Sequence, residues 1–349
     1  IVGADALAGL DPDERLARIE AESVRLLLEG QSRDLSEFGV RMDGFFSERS
    51  LYESGAVEDL LDRLEKEGLT YASDGAVWLA TSRFGDEKDR VLVKSDGTYT
   101  YFLPDLAYHL DKAERGFDLA IDVWGADHQG HEKRMLAALA GLGRGGLLEV
   151  MILQLVTVMR GGEEARMSKR AGRFVTLRDL VDETGPDVAR YFFLMRRAEV
   201  HLNFDLDLAL DTSEANPVYK VQYAHARMCS VFRKAGVDPA ALRGSDGLDA
   251  LELEAERDVA LALLRFPETL VSAARARAPH QVCAYLEETA GRVNAWYHQG
   301  NLDPRLRILA DGPARPGRLR LARAVQITLR NGLGVLGLGA PETMARGEE

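Results

Sequence analysis

The run Leu119-Ala120-Ile121-Asp122-Val123-Trp124 reads as a mostly buried strand. A Gly/Asp/His loop follows it, then a helical stretch over 132–139 and a second apolar run over 150–158. Apolar strand, loop, helix and apolar strand make the βαβ pattern of a parallel sheet. Sites in such sheets lie at the carboxyl ends of the strands, which directs attention to the residues after Trp124 and after Val158.

The flanking segments extend this frame. Leu16, Ile19, Val24, Leu27 and Leu28 recur at helical spacing over 11–35, and a second helix covers 57–67 up to Gly68. Strands are expected at 76–80, 90–93 and 98–102, the last two joined by a turn at Ser95-Asp96-Gly97. Pro104 then opens a helix reaching about residue 115. From Leu177 onward the pattern is almost wholly helical, with the longest helices at 218–235, 248–264, 281–298 and 318–333. The expected fold is α/β followed by all-α, residues 1–212 and 213–349, with the boundary between Asp205 and Asn216.

Composition narrows the class. The chain has 349 residues, 46% hydrophobic, enough for two or three domains with real cores. No apolar run reaches the ~18 residues that span a bilayer. Cys229 and Cys283 are too few for a disulfide framework, and no secretory leader opens the chain, so a reduced, cytoplasmic protein without a membrane segment is expected. The first residue is Ile1, as in a fragment or a processed product. The net charge of -12 is unevenly placed: residues 213–349 carry 18 Lys+Arg against 16 Asp+Glu, a net of +2, which leaves -14 on residues 1–212.

After the second apolar run stands Arg160-Gly161-Gly162-Glu163-Glu164-Ala165-Arg166-Met167-Ser168-Lys169-Arg170-Ala171-Gly172. Cations on a glycine-flanked loop beside a strand end can close on a polyphosphate; a solvated basic loop is the plain alternative. Met167-Ser168-Lys169-Arg170 resembles the Lys-Met-Ser-Lys-Ser signature of class I aminoacyl-tRNA synthetases. The wider context resembles the arginyl-tRNA synthetases: Phe174-Val175-Thr176-Leu177, Phe204-Asp205-Leu206-Asp207, Asn216-Pro217-Val218-Tyr219, Val221-Gln222-Tyr223-Ala224-His225-Ala226-Arg227, and a close on Leu338-Gly339-Ala340-Pro341-Glu342-Thr343-Met344. The resemblance runs from about residue 35 to the end.

The resemblance implies arginine–tRNA ligation: ATP, with Mg²⁺ as part of the substrate complex, and L-arginine give arginyl-adenylate, and the 3′ end of tRNA(Arg) takes the arginine. Lys169 would stabilise the ATP phosphates, with Met167 and Ser168 holding the loop against the nucleotide. Ser95 to Asp105 resembles the arginine pocket. A planar, permanently charged guanidinium calls for a carboxylate that accepts two parallel N–H bonds, which Asp105 could supply, and Tyr101 offers a ring face and a hydroxyl. The plain alternative for Asp105 is a favourable charge at a helix N-terminus, and for Tyr101 a place in the core.

His128-Gln129-Gly130-His131 fits the His-x-Gly-His form of the other class I signature, but it lies only 36 residues before Met167. Its surroundings instead resemble a later Gly-Ala-Asp-His block, in which Gly125 allows close approach, Asp127 takes ribose hydroxyls and His128 reaches arginine or ATP. A zinc reading of Asp127, His128 and His131 is set aside for want of a nearby cysteine, so no resident metal is expected. The resemblance places the true His-x-Gly-His segment and an amino-terminal domain ahead of this sequence, so the chain by itself is expected to be incomplete and inactive.

The helical part resembles an anticodon-binding domain, with Asn216, Tyr219, Gln222, Tyr223, His225 and Arg227 as candidates to stack on and bond splayed bases; a bundle helix with its tyrosines packed inside is the alternative. Near the end Arg305, Arg307, Arg315, Arg318, Arg320, Arg323 and Arg330 face only Asp303 and Asp311 in the same stretch, which suits phosphate contact or a solvated face equally. The expected protein is a monomer; a non-catalytic tRNA- or arginine-binding protein built from the same parts is the rival.

Overall fold

The computed structural model describes residues 9–165 and 175–344. The chain divides into two compact units, one of Met42–Leu155 with Ala198–His201, the other of Ile1–Arg41, Val156–Arg197 and Leu202–Glu349. This division by packing cuts across the expected split after residue 212.

The larger unit begins with helix α1, Pro12–Glu37. Asp11 caps it by accepting from the Asp13 and Glu14 N–H groups at 2.9 Å, and Glu14 reaches back to the Asp11 N–H. The other end of α1 is tied by Arg178 to Asp34 and Glu37.

In the smaller unit, α2 (Arg49–Glu53) and α3 (Ala56–Lys66) precede an antiparallel sheet of β1 (Thr70–Ser73), β2 (Ala76–Leu79) and β3 (Arg90–Val93). Asp74 and Gly75, both at positive φ (53° and 76°), make the tight β1–β2 turn, the conformation in which an Asp-Gly pair matches the twist of two strands. The strand expected at 98–102 is reduced to one bridge, Val93 to Tyr99, because the chain turns into a helix as soon as Phe102, Leu103 and Leu106 can enter the core. That helix, α4, is Phe102–Glu114. Pro104 stands in its first turn, where a missing N–H costs nothing. β4 (Ala120–Gly125), α5 (Gln129–Gly141) and β5 (Leu148–Leu153) then form the expected parallel βαβ unit, with Ala120 opposite Leu148 and Gly125 opposite Leu153. β4 is not mostly buried as expected, since Ile121 and Val123 are exposed on its uncovered face. Leu64, Leu92, Leu103, Leu106, Met135 and Leu139 fill its core.

The single strand expected over 150–158 is two strands in separate sheets. Gln154 leaves the β5 ladder and donates its N–H to the Ala198 carbonyl at 2.9 Å. β6 (Val156–Arg160) then pairs with β7 (Glu163–Glu164) and, in parallel, with β8 (Leu202–Asp205).

The rest is helical: α6 (Leu177–Thr184), α7 (Pro186–Leu194), α8 (Leu206–Leu210), α9 (Pro217–Ala235), α10 (Glu254–Leu264), α11 (Phe266–Arg275), α12 (His280–Leu302) and α13 (Arg315–Val335). Val218, Val221, Met228, Leu286, Val293, Trp296, Val325 and Leu329 meet in one core, and Cys229 and Cys283 are buried free thiols within the bundle. The helix expected over 248–264 is broken: a 3-10 turn at Leu248–Ala250 precedes α10. A Cβ on Gly317 would stand 2.0 Å from the Gly247 carbonyl oxygen, so the start of α13 packs backbone to backbone against that turn. Among the described residues no helix is long and apolar enough to cross a membrane.

The arginines of α13 have more partners than their neighbours in sequence suggest. Arg318 is buried and donates to Glu256 at 2.6 Å and to the Arg305 and Arg307 carbonyls at 3.2 Å. Arg320 pairs with Asp246 at 2.6 Å. Both partners lie more than sixty residues away, so the phosphate-contact expectation fails for Arg318 as a free cation. Glu256 is 1% exposed and its second oxygen accepts from the Leu253 N–H. Replacing Arg318 by Ala leaves that carboxylate buried and unpaired, and is expected to cost about 3–5 kcal/mol. Arg320→Ala, whose partner is exposed, should cost under about 1 kcal/mol. Denaturant unfolding of the two variants checks the difference.

Candidate functional site

Asp122 interrupts an otherwise apolar strand, and a charge there needs a partner. His109 on α4 brings Nε2 to 2.8 Å from its Oδ2, and Lys112, one turn on, donates to its Oδ1 at 2.9 Å. Burial pushes the Asp122 carboxyl up, but the bonds from His109 and Lys112 outweigh it and hold the group below its ordinary value. His109 is itself 1% exposed, and its Nδ1–H donates to the Asp105 carbonyl oxygen at 2.8 Å. Through His109 the link joins the first turn of α4 to the middle of β4.

That turn faces a cavity of about 970 Å³, lined among others by Phe46, Glu48, Arg90, Tyr101, Asp105, Tyr108, Trp124, Gly125, His128, His131 and Arg134. The Asp105 carboxylate is one-third exposed and receives His131 Nε2 on Oδ2 at 3.0 Å. Phe46 and Tyr108 stack with centroids 4.5 Å apart on the same wall. Two carboxylates and an aromatic wall suit a cation with a flat face.

The basic members of the wall differ in their pairing. Arg90 is engaged by Asp86 through two bonds of 2.7 Å. Arg134 donates to the Gly130 carbonyl at 3.2 and 3.3 Å; burial and then the Arg90 charge lower its proton affinity.

Of the expected pocket residues, the structure brings Tyr101, Asp105, Gly125 and His128 to this one cavity. Tyr101 is at the rim and 90% exposed, not packed in the core. A Cβ on Gly125 would meet Asp127 Oδ1 at 2.6 Å, the tip of an exposed side chain that can turn aside. Asp127 itself points to solvent beside the cavity, 3.5 Å from His128 Nε2. Met167, Ser168 and Lys169 lie outside the described residues. Among the described residues no cluster of His, Cys, Asp and Glu is arranged to hold a metal, and His131 is occupied by Asp105.

Sequence reasoning missed His109, Asp122 and the Asp105 partner role of His131. The spacing of Asp105 and His109, four apart on one helix face, was a usable signal.

On α9, Tyr219, Tyr223 and Arg227 lie on one half-buried face. The two rings stack at 5.7 Å, and Arg227 sits between Tyr223 and Tyr297 at 4.6 and 4.7 Å while donating to Asn294 at 2.6 Å. Asn216 and Gln222 are placed differently. Asn216 is buried as the cap of α9: its oxygen accepts from Val218 and Tyr219, and its amide donates to the Ala209 and Asp211 carbonyls. Gln222 is buried and donates to Asp187 at 2.8 Å and to the Gly339 carbonyl at 2.9 Å. These bonds give both residues a structural role.

Two family models match this chain in succession. The family model for the catalytic domain of class I tRNA synthetases (R) matches residues 13–197, and that for the DALR anticodon binding domain matches 221–344. Arginine–tRNA ligase of Bacillus subtilis is 45% identical over 347 residues, 97% of this chain and 61% of the relative. That of Syntrophotalea carbinolica is 48% identical over 319 residues, 90% of this chain and 56% of the relative. The chain thus spans somewhat over half the length of these curated relatives. A solved structure from Campylobacter jejuni, assigned as an arginyl-tRNA synthetase, superposes with a TM-score of 0.87 at 31% identity, over 97% of this chain and 72% of that one. The Thermus thermophilus arginyl-tRNA synthetase shares the fold at a TM-score of 0.80 and 24% identity, over 93% of this chain and 64% of that one.

The wall of the cavity also sets a pH dependence. Two bonds from Arg90, with the Glu87 N–H at 2.7 Å, hold the buried Asp86 carboxyl at about 2 instead of its usual 3.8. A lowered carboxyl stabilises the fold above its unfolded value and loses that contribution as pH falls toward the folded one. Asp86→Asn should therefore be less stable than the parent from neutral pH down to about pH 4, with the gap closing between about 4 and about 2. Thermal melts across that range test it.

Proposed function

The chain belongs to the arginyl-tRNA synthetases of class I, and from that premise we propose that it carries the arginine pocket and the anticodon-binding part of an arginine–tRNA ligase. In the first step an arginine carboxylate oxygen attacks the α-phosphorus of ATP, bound with Mg²⁺, giving arginyl-adenylate and releasing pyrophosphate. In the second, a 3′-terminal hydroxyl of tRNA(Arg) attacks the activated carbonyl and AMP leaves.

The observation that carries the reading is the Asp105 carboxylate, held by His131 at 3.0 Å and turned to a cavity with stacked aromatics. Asp105 takes the guanidinium as a two-pronged acceptor, and Tyr101 closes over it from the rim. His128 lies within the same cavity for the arginine or the nucleotide, Gly125 and Asp127 serve the ATP ribose, and Lys169, with Met167 and Ser168, follows the charge on the phosphates. The reaction is cytoplasmic and the protein acts as a monomer.

For tRNA, the half-buried Tyr219, Tyr223 and Arg227 are the contacts favoured on α9, while Asn216 and Gln222 act by fixing the helix. An aromatic pair with a stacked guanidinium offers flat faces to unstacked bases. Binding of the chain to a tRNA(Arg) transcript should exceed binding to the same transcript with changed anticodon bases, at low and at moderate salt. Tyr223→Ala and Arg227→Ala should each weaken it by roughly 1–3 kcal/mol. Equal binding to both transcripts by a folded chain would overturn the anticodon assignment.

A further inference from the structure

Two imidazoles flank the carboxyl group of Asp105. His131, in the first turn of α5, holds Oδ2 at 3.0 Å and is seated edge-on against Phe102 and Trp124, with ring centroids 5.9 and 5.5 Å away. His109 holds the Asp105 carbonyl oxygen at 2.8 Å, has Nδ1 3.5 Å from Oδ1, and is anchored from behind by Asp122. An aspartate carboxyl otherwise turns about its last torsion over a broad range. Here turning breaks the bond to His131, whose own ring is wedged between two aromatics. The plane of the acceptor is thus set before any ligand arrives.

The orientation matters to one class of cation more than another. A guanidinium offers a rigid fork of N–H groups and needs both carboxylate oxygens in one plane at one angle. An ammonium is a point charge with rotatable donors and is satisfied over a wide range of carboxylate angles. Each carboxylate oxygen has two acceptor directions, so His131 can occupy one on Oδ2 and leave the fork its pair.

We propose that His131 is a positioning residue that makes this cavity select a forked, planar cation over a point cation of similar reach. The proposal rests on the reading of Asp105 as the guanidinium receptor. Preorganising an acceptor removes part of the ordering cost from binding, and only the ligand that needs the order gains by it.

The test is titration of the whole chain with L-arginine and with L-lysine, followed by NMR, for the parent, His131→Phe, His131→Gln and Asp105→Asn. Phenylalanine keeps a ring between Phe102 and Trp124 but has no donor; glutamine keeps a donor and loses the ring. His131→Phe should cut the preference for arginine over lysine by about tenfold, chiefly through weaker arginine binding, and His131→Gln should recover part of it. A packing role alone would give the reverse order. An unchanged preference in His131→Phe, or tighter arginine binding, overturns the proposal. If Asp105→Asn abolishes the preference while His131→Phe does not, the positioning role alone falls. If the parent binds no arginine, or Asp105→Asn keeps the preference, the receptor reading falls and this inference with it.

Discussion

A single charge placed in a parallel strand organises the cavity. The Asp122 side chain is only 11% exposed, and an unpaired carboxylate there would cost several kcal/mol. Its two partners, His109 and Lys112, both come from α4, so satisfying the strand fixes that helix in position and rotation. His109 passes the constraint on to the Asp105 backbone, and α5, the crossover helix of the same βαβ unit, supplies His131 to the carboxylate from the other side. The cavity is therefore framed by hydrogen bonds among strand, crossover helix and the preceding helix, and the acid that lines it is held by the protein's own groups.

The helical bundle solves a different problem. Its buried polar groups tie distant segments together: Gln222 joins α9 to Asp187 on α7 and to the backbone near the carboxyl end, His225 bonds the Pro341 carbonyl at 3.0 Å, and Tyr191 donates to Glu287 at 2.8 Å. With these side chains occupied, Tyr219, Tyr223 and Arg227 form a half-exposed face of α9, beside Lys220. A face of aromatic rings and one stacked guanidinium has π-surfaces and charge but little hydrogen-bond code, which suits stacking on bases more than reading their edges.

The βαβ unit was legible because two apolar runs flank a short helix-forming stretch, and the bundle helices over 218–235, 281–298 and 318–333 because their apolar positions repeat at helical spacing. The division of 150–158 into two strands was not legible: only Gln154 and Thr157 interrupt the apolar run, and the break depends on the Gln154 N–H finding the Ala198 carbonyl more than forty residues away. The partners of Arg318 and Arg320 were hidden for the same reason. Asp105 and Tyr101 were reached through chemistry and family resemblance, whereas the His131 contact needed the crossover helix to be in place. Asn216 could have been read better from sequence, since Asn followed by Pro is a helix-start signal that already assigns the side chain to capping.

The most direct test of the account compares L-arginine with L-citrulline, which has nearly the same shape but a neutral urea end, by calorimetric titration of the chain. A receptor built on the Asp105 carboxylate should bind arginine at least about tenfold more tightly, since one charge-assisted, two-pronged contact is lost with citrulline. Equal affinity for the two would show that the carboxylate is not the receptor, and would contradict the assignment of this cavity to the guanidinium.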